Sequence, residues 1–213
     1  MLLSKNEINE VLNILDETYP DAKAELDHTN AFEMLLATIL SAQCTDVRVN
    51  MITKDLFKVV KTPEDALNLG FNKLSEIIRP CGFFNTKTKN ILKTCEILIN
   101  EHNSQVPDNK EDLVKLPGVG RKTANVVLSV CFGVDAIAVD THVFRVTNRL
   151  GIVKEKNVED TEDSLMERIE KNKWSKSHHL FIFHGRRTCK ARNPQCEVCT
   201  VRDYCVYYKE LLK

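Results

Sequence analysis

The chain has 213 residues, 43% of them apolar and 28% charged, with 30 basic and 30 acidic side chains. That composition is ordinary for a globular protein of one large or two small domains. No run approaches the ~18 apolar residues of a membrane span, and MLLSKNEINE lacks a secretory leader's charged and apolar regions, so a cytoplasmic protein is expected. The zero net charge argues against a nucleic-acid binder until it is divided. Residues 1–110 carry 12 basic and 16 acidic groups, residues 111–213 carry 18 and 14, and any phosphate-facing surface should come mainly from the second half.

Nearly every segment reads as helix. Ser4 caps a first helix with Ile8, Val11, Leu12 and Leu15 on one face, ending near Tyr19-Pro20. Asn30 caps a second, apolar enough through Phe32, Leu35, Leu36, Ile39 and Leu40 to be buried and central. It ends in Ser41-Ala42-Gln43-Cys44, and Thr45 caps a helix to about Val60. Pro63 opens a short helix, Asn72 another up to Pro80, and Asn85 or Thr86 a long one through Ile99. A short helix over Glu111–Leu116 precedes a second whose apolar positions are Ala124, Val127, Leu128 and Cys131, with Gly133 as its stop. Ala136–Val139 is a brief extended piece. Helices follow from Asp140 to Leu150, over Val158–Lys171, and from Ser175 or Ser177 towards Gly185. No repeat or low-complexity tract appears, and the expectation is an all-α fold.

Leu116-Pro117-Gly118-Val119-Gly120 cannot continue a helix: the proline lacks an N–H, and the glycines suit a tight turn. The helix that follows offers its first backbone N–H groups to an anion, above all a phosphate. Arg121 and Lys122 stand in that first turn, where the helix dipole disfavours cations. A solvated pair of side chains is one account, and a functional pair the other. A helix over 121–132 is about 18 Å long at ~1.5 Å per residue, and an extended 134–139 covers about 20 Å. If that segment doubles back, Asp140 returns close to Lys122, making a candidate active site. Asp140 also suits the N-cap of the next helix, and the two roles are compatible.

Three other places carry chemistry. Gln43 and Asp46 sit at a helix junction, where capping is the plain account. Cys81-Gly82-Phe83-Phe84-Asn85 places aromatics in a turn, as core lids or as wedges for a base stack. Cys44, Cys81, Cys95 and Cys131 are scattered and read as small core residues. Cys189, Cys196, Cys199 and Cys205, spaced C-x6-C-x2-C-x5-C, imply one sulfur site. Zinc modules tend to have two close pairs and only Cys196–Cys199 is close, so the spacing leans towards an iron–sulfur cluster without excluding zinc. Lys190 and Arg192 lie between the first two ligands, in a stretch free of acidic residues from 185 to 196. They are either solvated or offered to phosphates.

Leu116–Ala124 followed by Val139-Asp140-Thr141-His142 resembles the helix–hairpin–helix/Gly-Pro-Asp superfamily of DNA glycosylases. Leu40-Ser41-Ala42-Gln43-Cys44-Thr45-Asp46 and the cysteine spacing narrow the resemblance to the endonuclease III family, over essentially the whole chain. The resemblance implies two helical domains with the active site in the cleft between them. A six-helix domain over 22–134 would hold the helix–hairpin–helix at about 111–132, and residues 1–21 plus 135–213 would hold a [4Fe–4S] cluster. It implies a monomer, nucleoid-associated when on its substrate, that removes oxidised pyrimidines from double-stranded DNA and then cleaves the abasic site. By motif position Lys122 is the catalytic amine and Asp140 the essential carboxylate. Gln43 would fill the gap left by a flipped base, Phe83 would be a wedge where the family commonly has an aliphatic residue, and Gly118, Val119 and Gly120 would meet the DNA backbone. Arg187 replaces a commonly aromatic residue, with little consequence expected. A monofunctional relative, such as an adenine glycosylase, would use water and usually lacks the lysine. A non-catalytic hairpin protein would bury both Lys122 and Asp140.

Overall fold

The computed structural model describes residues 2–212, and among them there is helix but no strand. The chain divides into two compact units, one contiguous over Glu25–Val134 and one discontinuous, built from residues up to Ala24 and from Asp135 onward. No described helix is long and apolar enough to cross a membrane.

The contiguous unit is organised around α2 (Ala31–Ser41), in which every residue from Phe32 to Leu40 is buried. The buried Glu33 among them accepts hydrogen bonds from the Thr29 amide and hydroxyl, at 2.6 and 2.9 Å, so its charge completes the helix start. Around α2 lie α3 (Asp46–Val59), α4 (Pro63–Ile78), α5 (Phe84–His102), α6 (Lys110–Leu113) and α7 (Arg121–Cys131). α2 packs on α3, α5 and α7, and α4 runs against α5. Each fully buried leucine or isoleucine here, such as Leu36, Leu56, Leu74, Ile78, Ile91 and Leu98, contributes about 2 kcal/mol through the apolar area it takes from water.

The second unit joins α1 (Lys5–Thr18) to α8 (Thr141–Leu150), α9 (Val158–Arg168), α10 (Trp174–Arg187) and α11 (Val206–Leu211). Its core combines Ile8, Val11, Leu12 and Leu15 of α1 with Val143, Val146 and Leu150 of α8 and Leu180 and Phe181 of α10. The Ser4 capping box starts α1 as expected. α8 and α10 approach closely at Gly185, where a Cβ would lie 3.0 Å from His142 Cβ and 3.2 Å from the Arg145 guanidinium.

Several expected boundaries move. The two short helices expected over 63–80 are both present within the span of α4, divided at Gly70, whose φ of +74° and ψ of 170° are not helical. α5 begins at Phe84, with Phe83 as a left-handed N-cap that makes no side-chain cap. The expected Glu111–Leu116 helix starts earlier, at Lys110 after the Asn109 cap, and closes at Leu113. The helix expected to reach Lys171 stops at Arg168, because Ile169 turns extended and buries its side chain. Its carbonyl accepts from Trp174 Nε1 at 3.0 Å, and α10 starts at that tryptophan.

Candidate functional site

Four of the predicted residues belong to the hairpin between α6 and α7. Val119 is buried and its amide donates to the Leu116 carbonyl at 3.0 Å, so it anchors the turn and only its backbone remains for a ligand. Gly118 takes φ +81° and lies against Asn90 of α5. Thr94, also on α5, donates its hydroxyl to the Pro117 carbonyl at 3.2 Å. Gly120 is the N-cap of α7 and supplies no side chain to the amides of the first turn. A Cβ there would meet nothing within 4 Å, so the approach to the helix start is open. Lys122 projects from that turn into solvent.

Gln43 and Phe83 stand on two neighbouring turns of the same unit. Both adopt left-handed backbone conformations, φ 54° and 59°, and both are exposed. Non-glycine residues held there store strain of about 1–3 kcal/mol, which is found where function requires a fixed projection. With Ile39, Ala42, Thr86, Lys87, Asn90 and Gly118 they line one open pocket of about 200 Å³. Lys87 is the member that sequence reasoning missed. It is 5% exposed, and its Nζ donates to the carbonyls of Leu40 and Ala42 at 2.8 and 2.7 Å. An ammonium therefore satisfies the C-terminus of α2 and holds the turn that presents Gln43. Nothing in the sequence separates this lysine from its solvated neighbours Lys89 and Lys93.

Asp140 belongs to the other unit. Gly133, at φ +64°, ends α7 and the Val134 amide returns to the Leu128 carbonyl at 3.1 Å; the segment after it buries Ile137. Asp140 then caps α8, its Oδ1 accepting from the amides of His142 and Val143 at 2.8 Å each. Oδ2 takes no part in this cap. The side chain is half-buried.

In the same unit Cys189, Cys196, Cys199 and Cys205 line one small pocket of about 20 Å³, partly open to solvent, with His184, Leu150, Tyr207 and Tyr208. Among the described residues no three ligand-type side chains are gathered tightly enough for a single ion. Four thiols round one pocket without a carboxylate in its lining suit a sulfur-ligated centre, and the single close pair Cys196–Cys199 favours an iron–sulfur cluster. Burial and the neighbouring sulfurs push Cys199 up to about 11, and Cys196 and Cys205 move the same way. A bound metal reverses that preference by stabilising the thiolates.

The loop from Cys189 to Cys196 is held by two arginines of α8. Arg145 donates from Nε to the Cys189 carbonyl at 3.1 Å and from a terminal nitrogen to the Gly185 carbonyl at 2.9 Å. Arg149 reaches the carbonyls of Lys190 and Ala191 at 2.7 and 3.1 Å and lies over the Tyr207 ring. With its backbone so fixed, the loop leaves Lys190 and Arg192 exposed. Arg187 does more than expected. Its two terminal nitrogens pair with the two Asp21 oxygens at 3.0 and 2.6 Å, and its guanidinium lies over the Phe183 ring.

The structure thus gathers Gln43, Phe83 and Gly118 at one pocket and the four cysteines at another, and it assigns Lys122 and Asp140 to different units. The family model of HhH-GPD superfamily base excision DNA repair proteins matches residues 36–171. The model of the iron–sulfur binding domain of endonuclease III matches residues 189–205. Endonuclease III of Rickettsia conorii is 47% identical over 204 residues, 96% of this chain and 97% of that protein. That of Escherichia coli K12 is 46% identical over 202 residues, 95% and 96% of the two chains. A solved structure of a trapped endonuclease III–DNA covalent intermediate superposes with a TM-score of 0.94 at 47% identity, covering both chains fully.

Proposed function

The chain belongs to the HhH-GPD superfamily of base excision DNA repair proteins, in its endonuclease III family, and from that premise we propose how its own residues perform the reaction. It is a DNA glycosylase and abasic-site lyase with a [4Fe–4S] cluster. Its substrate class is oxidised pyrimidines in duplex DNA, on which it acts as a cytoplasmic, nucleoid-associated monomer. The contiguous unit serves as the hairpin domain and the discontinuous one as the cluster domain.

A damaged base inside the stack must first be turned out, at a cost of a few kcal/mol that is smallest where damage has weakened stacking. Gln43 fills the vacated space and Phe83 wedges the neighbouring step, both from strained, exposed turns. The hairpin amides and the start of α7 take a backbone phosphate, and Lys190 and Arg192 take others. The Lys122 Nζ attacks the sugar C1′, the base leaves, and the resulting Schiff base undergoes β-elimination on the 3′ side. An amine nucleophile must be neutral, whereas lysine near pKa 10.4 is almost wholly protonated at pH 7. Because Lys122 is exposed in the free protein, the water exclusion its attack requires comes with the bound duplex. The Asp140 oxygen that the cap leaves over stabilises the developing sugar cation or relays a proton.

Cys189, Cys196, Cys199 and Cys205 would hold the cluster, which when bound supplies a structural cross-link rather than chemistry at the sugar. The observation that carries the reading is Lys122, exposed in the first turn of a helix whose N-terminus is open to phosphate. Borohydride trapping on a damaged duplex tests it. Wild type should give a covalent adduct and Lys122→Ala none, and an adduct with the alanine variant would overturn the mechanism.

A further inference from the structure

Two cysteines that no step above uses lie together on the turns that present Gln43 and Phe83. Cys44 follows Gln43 in the connection from α2 to α3, and Cys81 stands two residues before Phe83 in the connection from α4 to α5. Their sulfurs are 4.0 Å apart. The turns also touch through backbone, since a Cβ on Gly82 would lie 3.8 Å from the Gln43 carbonyl oxygen. Each amide is tied to its own helix end, Cys44 to the Ser41 carbonyl at 3.0 Å and Cys81 to the Ile78 carbonyl at 2.8 Å. The two sulfurs therefore meet from separately fixed turns.

We propose that Cys44 and Cys81 form a reversible disulfide that ties these two turns together and weakens engagement of the duplex. The effect on DNA rests on the reading of Gln43 and Phe83 as inserting residues; the cross-link itself does not. A disulfide requires about 2.05 Å between sulfurs, so closing the bond brings them some 2 Å nearer through side-chain rotation and any backbone shift it needs, and couples the two turns covalently. Gln43 and Phe83, one and two residues from the bond, can then no longer adjust independently to a duplex.

The chemistry needs an oxidant, and a low-molecular-weight disulfide such as oxidised glutathione balances it. Cys44 is half-buried and reachable, whereas Cys81 is 1% exposed. Burial, with Cys44 beside it, holds the Cys81 thiol up at about 11. Cys44 as thiolate attacks one sulfur of the reagent, whose S–S bond breaks and releases one glutathione thiolate. The Cys81 sulfur then gives its proton to solvent and attacks Cys44 in the mixed disulfide, expelling the second glutathione. Two electrons pass from the protein to the reagent, and the two protein protons end on two glutathione thiols. Among the other cysteines outside the cluster pocket, Cys95 is buried and its thiol is pushed up to about 12 by that burial, so it serves as an internal control.

The holoprotein should be equilibrated with oxidised glutathione, its cluster absorbance followed throughout, then alkylated and mapped by peptide mass. Binding to a duplex with a tetrahydrofuran abasic analogue should be measured in parallel. The expected result is a Cys44–Cys81 peptide and a Kd raised about tenfold, the worth of one side chain stacked on a base, with both reversed by dithiothreitol. Cys44→Ser, or Cys44→Ala if serine perturbs the turn, should bind like reduced wild type before and after oxidation. Absence of the cross-linked peptide, an unchanged Kd in the linked protein, or the same oxidative loss in the Cys44 variants would overturn the proposal. If reduced Gln43→Ala and Phe83→Ala bind as wild type, the insertion reading fails and takes the binding effect with it, while the peptide map still reports on the cross-link.

Discussion

Replacing Gly118 by alanine separates two costs that the hairpin imposes on one residue. The backbone holds φ +81°, a left-handed conformation that costs an L-residue about 1–2 kcal/mol. The new Cβ would also lie 2.9 Å from Asn90 Nδ2 and 3.3 and 3.4 Å from its Cβ and Cγ. The amide nitrogen can swing away, but the Asn90 Cβ is fixed to α5, so part of the crowding persists. Overpacking of this kind costs about 1 kcal/mol at the low end of its range, and Gly118→Ala should destabilise by about 2–3 kcal/mol in all. Asn90→Gly removes all three obstacles, its own helix cost cancelling in the cycle, and leaves the conformational cost of residue 118. In the double variant the penalty should fall by about 1 kcal/mol, a coupling well above the ~0.3–0.5 kcal/mol additivity error. Urea unfolding of the four proteins, compared at equal m-values, reads the cycle. A Gly118→Ala protein within about 0.5 kcal/mol of wild type, the range of an inconsequential surface change, would refute the strain. An unchanged penalty in the Asn90→Gly background would refute the packing.

Gly120→Ala should behave in the opposite way: with extended backbone and open space around it, stability should fall by less than about 1 kcal/mol while duplex affinity drops. Equal affinity in an anisotropy titration would remove Gly120 from the interface. Lys190→Ala and Arg192→Ala should each lower the slope of log K against log salt by about one phosphate contact, and an unchanged slope would return those side chains to solvent. Burial, with the Lys176 ammonium nearby, pushes His179 down to about 4 from 6.5. The unfolded chain therefore takes up a proton between those values that the folded chain refuses. The contribution of His179 to stability should be full above pH 6.5 and fall by at most about 1.4 kcal/mol per pH unit towards pH 4. His179→Gln should flatten that dependence in urea melts at pH 7 and pH 5, and parallel behaviour of the two proteins would rule the histidine out.

The parts of the fold legible in the sequence were those announced by local chemistry. Ser4, Asn30, Thr45 and Asp140 all accept from amides of the helices they were expected to start, because a short polar side chain before an apolar run has one dominant use. The start of α5 was misread by a residue or two because its N-cap, Phe83, makes no side-chain hydrogen bond and carries no such signal. The break after Arg168 escaped because a buried isoleucine carbonyl and an indole, not a glycine or proline, enforce it. At the site, the cysteine spacing and the glycines could be read directly. Lys87, Arg145 and Arg149 could not, since a cation that satisfies a distant carbonyl looks, in one dimension, like any solvated residue. Cys44 and Cys81 read as independent core residues for the same reason: 37 positions separate them in the chain.

The discontinuity of the second unit bears on how the protein is made. Leu3, Ile8, Val11, Leu12 and Leu15 find their partners in a core that also needs Ile137, Val143 and Phe181. At ~5–20 residues per second of synthesis, α1 waits on the order of ten seconds for those residues to emerge. Residues 25–134 meanwhile form a contiguous unit able to collapse without it. α1 thus leaves the ribosome ahead of the whole contiguous unit yet finds its core only after that unit has been made, and during that interval its apolar face is open to chaperones and to aggregation.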